Sequence, residues 1–217
     1  MLCLYLVALF YLPSSASAVT LNELIVLIQS SYENTSDIQA SFLQESFIKT
    51  MGTIKKAEGR LYIKKPGRML WSYKKPDRQD ILITGNDVLI YKYEERQVIR
   101  SHLGLEKTPA TFLAGMGRLR DDFNISYAVR DCNKEGYYHL ELIPKAKGSI
   151  TRVLLEIRAW KGYKNEDKVR YITSGFTLTD IIGNTTKIVL KNVEINRGIK
   201  DSVFQVKIPE GAEIIEQ

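Results

Sequence analysis

A chain of 217 residues, 44% of them hydrophobic, carries too many core-forming side chains to be intrinsically disordered, and its length suits one β-rich domain. The formal net charge of +6 favours solubility and attraction to anionic surfaces, but it does not by itself indicate nucleic acid. No Pro/Ser/Gly-rich linker and no repeat of fixed period divides the sequence. We therefore expect a single folded domain.

Residues 1–18 form an uncharged segment that predicts export. The apolar run of residues 2–12 is followed by Ala16 and Ala18 in the small-x-small pattern that a secretory peptidase recognises. A membrane anchor is the alternative, but the run is shorter than the roughly 20 residues that a membrane span needs. We expect a cleaved signal peptide over residues 1–18 and one mature domain over residues 19–217.

Residues 20–32 predict an amphipathic helix at the start of the domain. Thr20 is an N-cap residue and Glu23 stands three positions later, the spacing of a capping box. From residue 38 to residue 48 the pattern changes to the alternation of a β-strand, and further strands follow at intervals of about 8–12 residues. Outside the central hairpin described next, these are expected at 79–84, 88–93, 97–101, 123–130, 137–143, 153–159, 171–179, 186–195 and 204–208. About eleven strands are enough for one strongly curved antiparallel sheet or a barrel that does not close.

The stretch from residue 59 to residue 73, GRLYIKKPGRMLWSY, predicts a hairpin with a bulky apolar face. Leu61 and Ile63 alternate with polar residues. The Lys-Pro-Gly sequence at 65–67 then predicts a turn, because proline fixes φ and glycine tolerates positive φ. One face of the second strand carries Met69, Trp71 and Tyr73. An apolar surface of this size needs a cover, which is either another part of the chain or a ligand.

A short apolar helix is predicted where the strand pattern is interrupted. Thr108 is a good N-cap and Pro109 is favoured at the first helical position, so residues 110–116 should form a helix. Its side chains include Phe112, Leu113 and Met116 and leave little polar surface. We interpret this helix as a lid over the sheet.

No catalytic or metal-binding constellation is apparent in the sequence. His102 and His139 are isolated, and neither stands at ligand spacing from Cys132. Cys132 alone remains after removal of the segment that contains Cys3, so no internal disulfide is expected. Basic residues interleaved with aromatic ones near the central hairpin are compatible with nucleic-acid binding, but export argues against it. We expect no enzyme activity, no cofactor, no metal and no nucleic-acid partner.

Three stretches of the chain carry an ordered set of motifs. They read EGRLYIKKPGRMLWSYKKPDRQ, ILITGNDVLIYKYEERQV and TPATFLAGMGRLRDDF. The set consists of G-x-L-x-[IV]-K-[RK]-P, a tryptophan two residues after a large apolar residue, a D-x-x-x-Y strand, and T-P opening an apolar helix. Together they resemble the LolA family of periplasmic lipoprotein carriers, over nearly the whole mature chain.

This resemblance implies a fold and a function. The fold is an unclosed antiparallel β-barrel with an N-terminal helix and a short helical lid over a hydrophobic cavity. The function is that of a periplasmic carrier that takes acylated lipoproteins from an inner-membrane ABC exporter and delivers them to an outer-membrane receptor. We expect the protein to be a monomer.

The resemblance also assigns roles to individual residues. Trp71 matches the family's hairpin tryptophan, and Met69 matches a large apolar position often occupied by phenylalanine. Lys65 precedes the proline where well-known members carry an arginine that ties the lid to the barrel; lysine lacks that planar fork, and Arg68 is a second candidate for the role. The residues expected to contact acyl chains are Phe42, Ile63, Met69, Trp71, Ile90, Phe112, Leu113 and Met116.

Other functions on the same fold are alternatives. A periplasmic regulator or lipid-sensor domain would use the concavity to bind a lipid or a signalling partner, although such regulators generally need a second domain. An outer-membrane receptor of this fold would carry a cysteine directly after the signal peptide, where this chain has Val19. An enzyme acting on lipids or glycans would need catalytic residues that the sequence does not offer.

Overall fold

A computed structural model describes residues 19–102, 119–128, 136–161 and 169–216 of the chain. The expected signal peptide, the expected lid helix at 110–116 and Cys132 lie outside these ranges. The statements that follow concern the described residues.

The first element, α1, is a helix of 13 residues, Leu21–Glu33. Its N-terminus carries the predicted capping box. The Glu23 amide donates to Thr20 Oγ1 at 3.3 Å, and the Thr20 amide donates to Glu23 Oε2 at 2.9 Å. These two bonds satisfy amide groups that have no partner within the helix, and the bonds to Thr20 lower the pKa of the Glu23 carboxyl.

Twelve strands and two further short helical segments follow α1. The strands are β1 (Asp37–Ile48), β2 (Thr53–Lys64), β3 (Arg68–Lys75), β4 (Gln79–Thr84), β5 (Asp87–Lys92), β6 (Gln97–His102), β7 (Phe123–Tyr127), β8 (Tyr137–Pro144), β9 (Ile150–Lys161), β10 (Val169–Asp180), β11 (Thr185–Ile195) and β12 (Glu213–Glu216). The helical segments are α2 (Leu119–Asp122), which precedes β7, and a 3-10 turn (Asp201–Phe204) before β12.

All twelve strands belong to one sheet, in the order β12-β6-β5-β4-β3-β2-β1-β11-β10-β9-β8-β7. The first and last strands in this order do not pair with each other, so the sheet is unclosed, as predicted. Neighbouring strands are antiparallel except β12, which joins β6 in parallel. The chain returns from the end of the meander to pair β11 with β1, which places the N-terminal strand in the middle of the sheet.

The strand predicted at residues 204–208 is absent, and this expectation was wrong. Phe204 ends the 3-10 turn and is buried, while the residues after it continue without strand pairing. Exposed and buried side chains do alternate through this segment. It lies against the face of the sheet instead of joining it, and the last strand is β12.

The two faces of the sheet have different covers. The inner face, as we call the side on which α1 packs, holds the main core, which includes Leu24 and Ile28 of the helix and Leu61 and Trp71 of the sheet. The outer face carries a smaller buried cluster of Leu70, Ile199 and Phe204, where the C-terminal segment crosses the central hairpin.

Candidate functional site

The inner face carries two rows of apolar side chains across β2, β3, β4 and β5. Residues that pair directly across neighbouring strands share one face of a sheet. The first row is Leu61, Trp71, Ile81 and Ile90, and the second is Ile63, Met69, Ile83 and Val88. Phe42 joins them from β1, where it pairs with Gly59. Five of the residues predicted to contact acyl chains therefore share one face, whereas Phe112, Leu113 and Met116 lie outside the described residues.

Trp71 lies at the centre of this surface. Its ring meets the ring of Phe42 edge-on, with 4.9 Å between centroids, and its indole Nε1 donates to Met69 Sδ at 3.0 Å. Phe42 makes a second edge-on contact with Tyr73, also at 4.9 Å. Gly59 makes room for the Phe42 ring, because a Cβ at that position would come within 2.8 Å of it. These contacts form a continuous aromatic cluster along the inner face.

Helix α1 shares its core with this aromatic cluster. Leu24 and Ile28 are fully buried, Tyr32 is nearly so, and all three belong to the same core as Met69 and Trp71. Met69 itself is 0% exposed. The face predicted to receive acyl chains is therefore part of a core that the chain's own helix helps to form.

The C-terminal end of α1 fills a split in the sheet. Strand β10 pairs with β9 along its whole length, but it pairs with β11 only from Gly175 to Thr179. Two backbone amides of β10 beyond this point bond to helix side chains instead. The Tyr171 amide donates to Ser31 Oγ at 2.9 Å, and the Thr173 amide donates to the Tyr32 hydroxyl at 3.1 Å.

The Tyr32 hydroxyl also donates to Thr173 Oγ1 at 2.7 Å, so it both donates and accepts in a buried position. Burial raises the pKa of Tyr32 to about 12, although its two hydrogen bonds with Thr173 act in the opposite direction. The amphipathic pattern of α1 is evident in the sequence, but this polar contact is not, because its partners are 141 residues apart.

Lys65 joins the β2–β3 turn to the same end of α1. Its Nζ donates to the backbone oxygen of Tyr32 and, at 3.3 Å, to that of Glu33. Positive charge is favourable here, because the last carbonyls of a helix lack partners within it and carry the negative end of the helix dipole. Partial burial lowers the pKa of Lys65, and the nearby Glu33 carboxylate acts against this shift.

Arg68 lies on the outer face, away from α1. Its guanidinium is 3.1 Å from Asp201 Oδ1 and lies over the Phe204 ring, 5.5 Å from the centroid. Lys64 Nζ bonds to the same Asp201 oxygen at 2.5 Å and to the Ile199 carbonyl at 2.7 Å. The hydrogen bond from Lys64, together with the charge of Arg68, lowers the pKa of Asp201. Arg68 thus holds the C-terminal segment, and of the two predicted latch residues only Lys65 contacts the helix.

The N-terminal half of α1 borders an open concavity of about 740 Å³, lined by Val19, Asn22, Glu23, Val26, Leu27 and Arg120. Arg120 Nη2 donates to the backbone oxygen of Asn22 at 3.2 Å and to its side-chain oxygen at 3.1 Å. Val26 is 59% exposed. The helix is therefore buried on the sheet side and presents apolar surface on its other side.

An unclosed sheet whose apolar inner face shares its core with an amphipathic helix defines a class of half-barrel proteins with a helix-packed interior. The chain matches the family model described as outer membrane lipoprotein carrier protein LolA over residues 33–207. It therefore belongs to the LolA family.

Relatives in several bacteria support this assignment. The chain is 29% identical over 192 residues to the outer-membrane lipoprotein carrier protein of Methylococcus capsulatus, covering 87% of this chain and 86% of that protein. It is 29% identical over 212 residues to the protein of the same name from Nitrosomonas europaea, covering 96% and 94%. An uncharacterized conserved protein from Thermus thermophilus matches in structure with a TM-score of 0.55 at 13% identity, over 90% of this chain and 98% of that one. This last similarity concerns the fold alone.

In the ranges that the structure describes, no helix has the length and apolar character needed to cross a membrane. Nor do the same ranges contain a group of three or more His, Cys, Asp or Glu side chains arranged to hold a metal ion.

Proposed function

We propose that the protein carries lipoproteins through the periplasm by binding their acyl chains on the inner face of the sheet. It would receive them from an inner-membrane ABC exporter and pass them to an outer-membrane receptor. The observation that supports this proposal is the packing of α1 into the core on the inner face. Among the described residues, the amphipathic helix α1 packs into the same core as Met69 and Trp71, and a helix can be displaced without breaking strand pairing.

The energetics of the covered face suit a carrier that must also release its cargo. Each CH₂ group removed from water contributes roughly 0.8 kcal/mol, so a preformed empty cavity would hold several acyl chains almost irreversibly. We infer that an acyl chain enters this site by displacing Leu24, Ile28 and Tyr32, which belong to the same core. The lost self-contacts offset part of the gain and weaken net binding. We assign Phe42, Ile63, Met69, Trp71 and Ile90 to the acyl site and Phe112, Leu113 and Met116 to the lid.

Reconstitution with a lipoprotein tests the proposal. The protein is mixed with a triacylated lipoprotein in detergent, the detergent is removed, and the product is examined by native mass spectrometry. We expect a soluble one-to-one complex. Precipitation of the lipoprotein beside empty, folded protein would contradict acyl binding and would favour a regulator that binds a signalling partner.

A matched pair of variants places the site. Ile90→Glu puts a charge on the half-buried margin of the inner face, where the fold tolerates it better than at fully buried Met69. Leu89→Glu makes the same change at the adjacent half-buried residue, which lies on the outer face. Only Ile90→Glu should weaken the complex, by about tenfold or more, because it places a charge against acyl chains. An equal loss of lipoprotein binding in both variants would exclude the inner face as the acyl site.

Replacing Lys65 with Met is expected to tighten acyl binding by about 3–10-fold and to slow release. The change removes hydrogen bonds that hold α1 closed; because this lysine is half-exposed, we count them at about 1 kcal/mol. Equilibrium binding of a triacylated lipopeptide and its rate of transfer to vesicles are the measurements. Lys64→Met is the control, because Lys64 bonds to the C-terminal segment on the outer face. Unchanged or weaker binding in Lys65→Met would show that Lys65 is not a latch.

A further inference from the structure

We propose that the tips of the β1–β2 and β10–β11 hairpins form a docking surface for anionic phospholipid membranes. Five apolar side chains at these tips are exposed, and we call them the tip patch. They are Phe47 (38% exposed), Met51 (67%), Ile54 (61%), Ile181 (68%) and Ile182 (57%). Solvent-exposed apolar groups at this density usually mark an interaction site.

The two hairpin tips lie against each other. Phe47 pairs with Ile54 across the first hairpin and with Thr185 of β11 on the other side. The Lys49 amide donates to Asn184 Oδ1 at 2.9 Å, and the Lys49 side chain lies beside Gly183. The patch is therefore one surface composed of two turns. Every residue from 49 to 56 is exposed, so the first hairpin extends beyond the packed part of the sheet.

The second turn is held in a fixed shape by its own acidic residue. Asp180 Oδ1 accepts from the amides of Ile182, Gly183 and Asn184 at 2.8–2.9 Å, and Oδ2 accepts from the Asn184 side chain at 2.8 Å. This arrangement turns the carboxylate towards the backbone and leaves Ile181 and Ile182 on the outside. The patch is thus presented on an ordered turn.

The charges around the tip patch favour a lipid surface. The two hairpin segments, residues 45–56 and 180–187, contain four lysines and two carboxylates. One carboxylate is Asp180, and the other, Glu45, is 2.9 Å from Lys56. Anionic lipid surfaces attract lysine, and lysine stems extend along the apolar boundary with their amines in the headgroup layer. Protein interfaces, in contrast, are depleted in lysine. The tip patch therefore fits insertion at the boundary between headgroups and acyl chains.

This surface is separate from the acyl site. It lies at the start of β2, whereas Lys65 follows the end of the same strand. Changes at the tips therefore leave the contact between Lys65 and α1 in place. The inference does not depend on lipoprotein binding, since it is tested on protein without cargo.

Vesicle co-sedimentation tests the proposal. The protein, expressed with its own N-terminal segment and purified after export, is mixed with vesicles of an equal mixture of phosphatidylethanolamine and phosphatidylglycerol, or of phosphatidylcholine alone. We expect binding to the anionic vesicles about tenfold above that to phosphatidylcholine, and weaker binding at high salt. Met51→Asp combined with Ile181→Asp should lower the partition coefficient by about tenfold or more.

Two further variants keep the test decisive. Ile214→Asp is the matched control, because Ile214 is also exposed (50%) but lies on edge strand β12, six strands from β1 in the sheet order. Met51→Trp should strengthen binding, which a folding defect cannot do, because tryptophan favours the membrane interface. Equal effects of the tip and control variants would overturn the proposal. So would binding only to native membrane vesicles that retain their proteins, since this would indicate a protein partner.

Discussion

Replacing Trp71 with Ala is expected to lower the free energy of unfolding by about 3–5 kcal/mol, the range for truncation of a buried aromatic residue. Trp71 is 6% exposed and loses its edge-on contact with Phe42 and its bond to Met69 in this variant. Chemical denaturation measures the effect. Trp160, the other tryptophan in the chain, is the matched control. It is only partly buried, in a shallow pocket that includes Arg170, so Trp160→Ala should cost about 1 kcal/mol.

The Trp71→Ala variant also tests the acyl site. The substitution leaves a cavity on the inner face, and apolar cavities accept apolar ligands. A triacylated lipopeptide should therefore raise the Tm of Trp71→Ala more than it raises the Tm of the unaltered protein. In Trp160→Ala the rise should equal that of the unaltered protein. A lipopeptide that leaves the Tm of Trp71→Ala unchanged would mean that acyl chains do not reach the inner face.

Local patterns in the sequence were sufficient to predict the elements of the site. The spacing of Thr20 and Glu23 predicted the start of α1. The alternation of apolar and polar residues predicted that Met69 and Trp71 share one face of β3. In the structure, antiparallel pairing of consecutive strands places Ile63 and Ile90 on that same face. Both predictions rest on neighbours in sequence, for which periodicity and turn geometry are informative.

The position of α1 could not be predicted in this way. Ser31 and Tyr32 replace a missing strand partner along β10, and nothing near them in sequence indicates that β10 and β11 separate. The face of the sheet on which Arg68 lies could, in contrast, be inferred from the sequence. Lys64 pairs with Arg68 across the turn of residues 65–67, so the two residues must share one face. The strand at 204–208 was predicted from β-branched and aromatic residues bounded by turn residues, but the same composition fits a segment that lies across a sheet without joining it.

The contrast between Lys65 and Arg68 has a functional consequence. Lys65 contacts an element that the proposed cargo must displace, whereas Arg68 and Lys64 fix the C-terminal segment on the opposite face. If acyl chains displace α1 as proposed, one hairpin holds the displaced helix on one side and the C-terminal segment on the other. Binding of cargo need not disturb the outer-face cluster, which includes Phe204.

The folded protein is expected to lose stability steeply between pH 10 and pH 12, because two tyrosines, buried Tyr32 and half-buried Tyr73, must ionise. Burial raises the pKa of both Tyr32 and Tyr73 to about 12, from an ordinary value of 10. The folded state therefore favours the protonated phenols. This contribution is complete below pH 10 and is lost as the pH rises through the folded-state value. Each tyrosine should remove about 2–3 kcal/mol from the free energy of unfolding.

Phenylalanine variants separate the effect of tyrosine ionisation from the loss of lysine charge, which occurs in the same pH range. Tyr32→Phe and Tyr73→Phe should each flatten the decline measured by urea unfolding at successive pH values. They should differ at neutral pH. Tyr32→Phe leaves the buried Thr173 amide without its acceptor and should cost about 1–3 kcal/mol, whereas Tyr73→Phe loses one bond, at 2.8 Å, to the half-buried Gln44 side chain and should cost less. If both variants keep the full alkaline decline, the loss of lysine charge explains it and ionisation of these tyrosines does not limit stability.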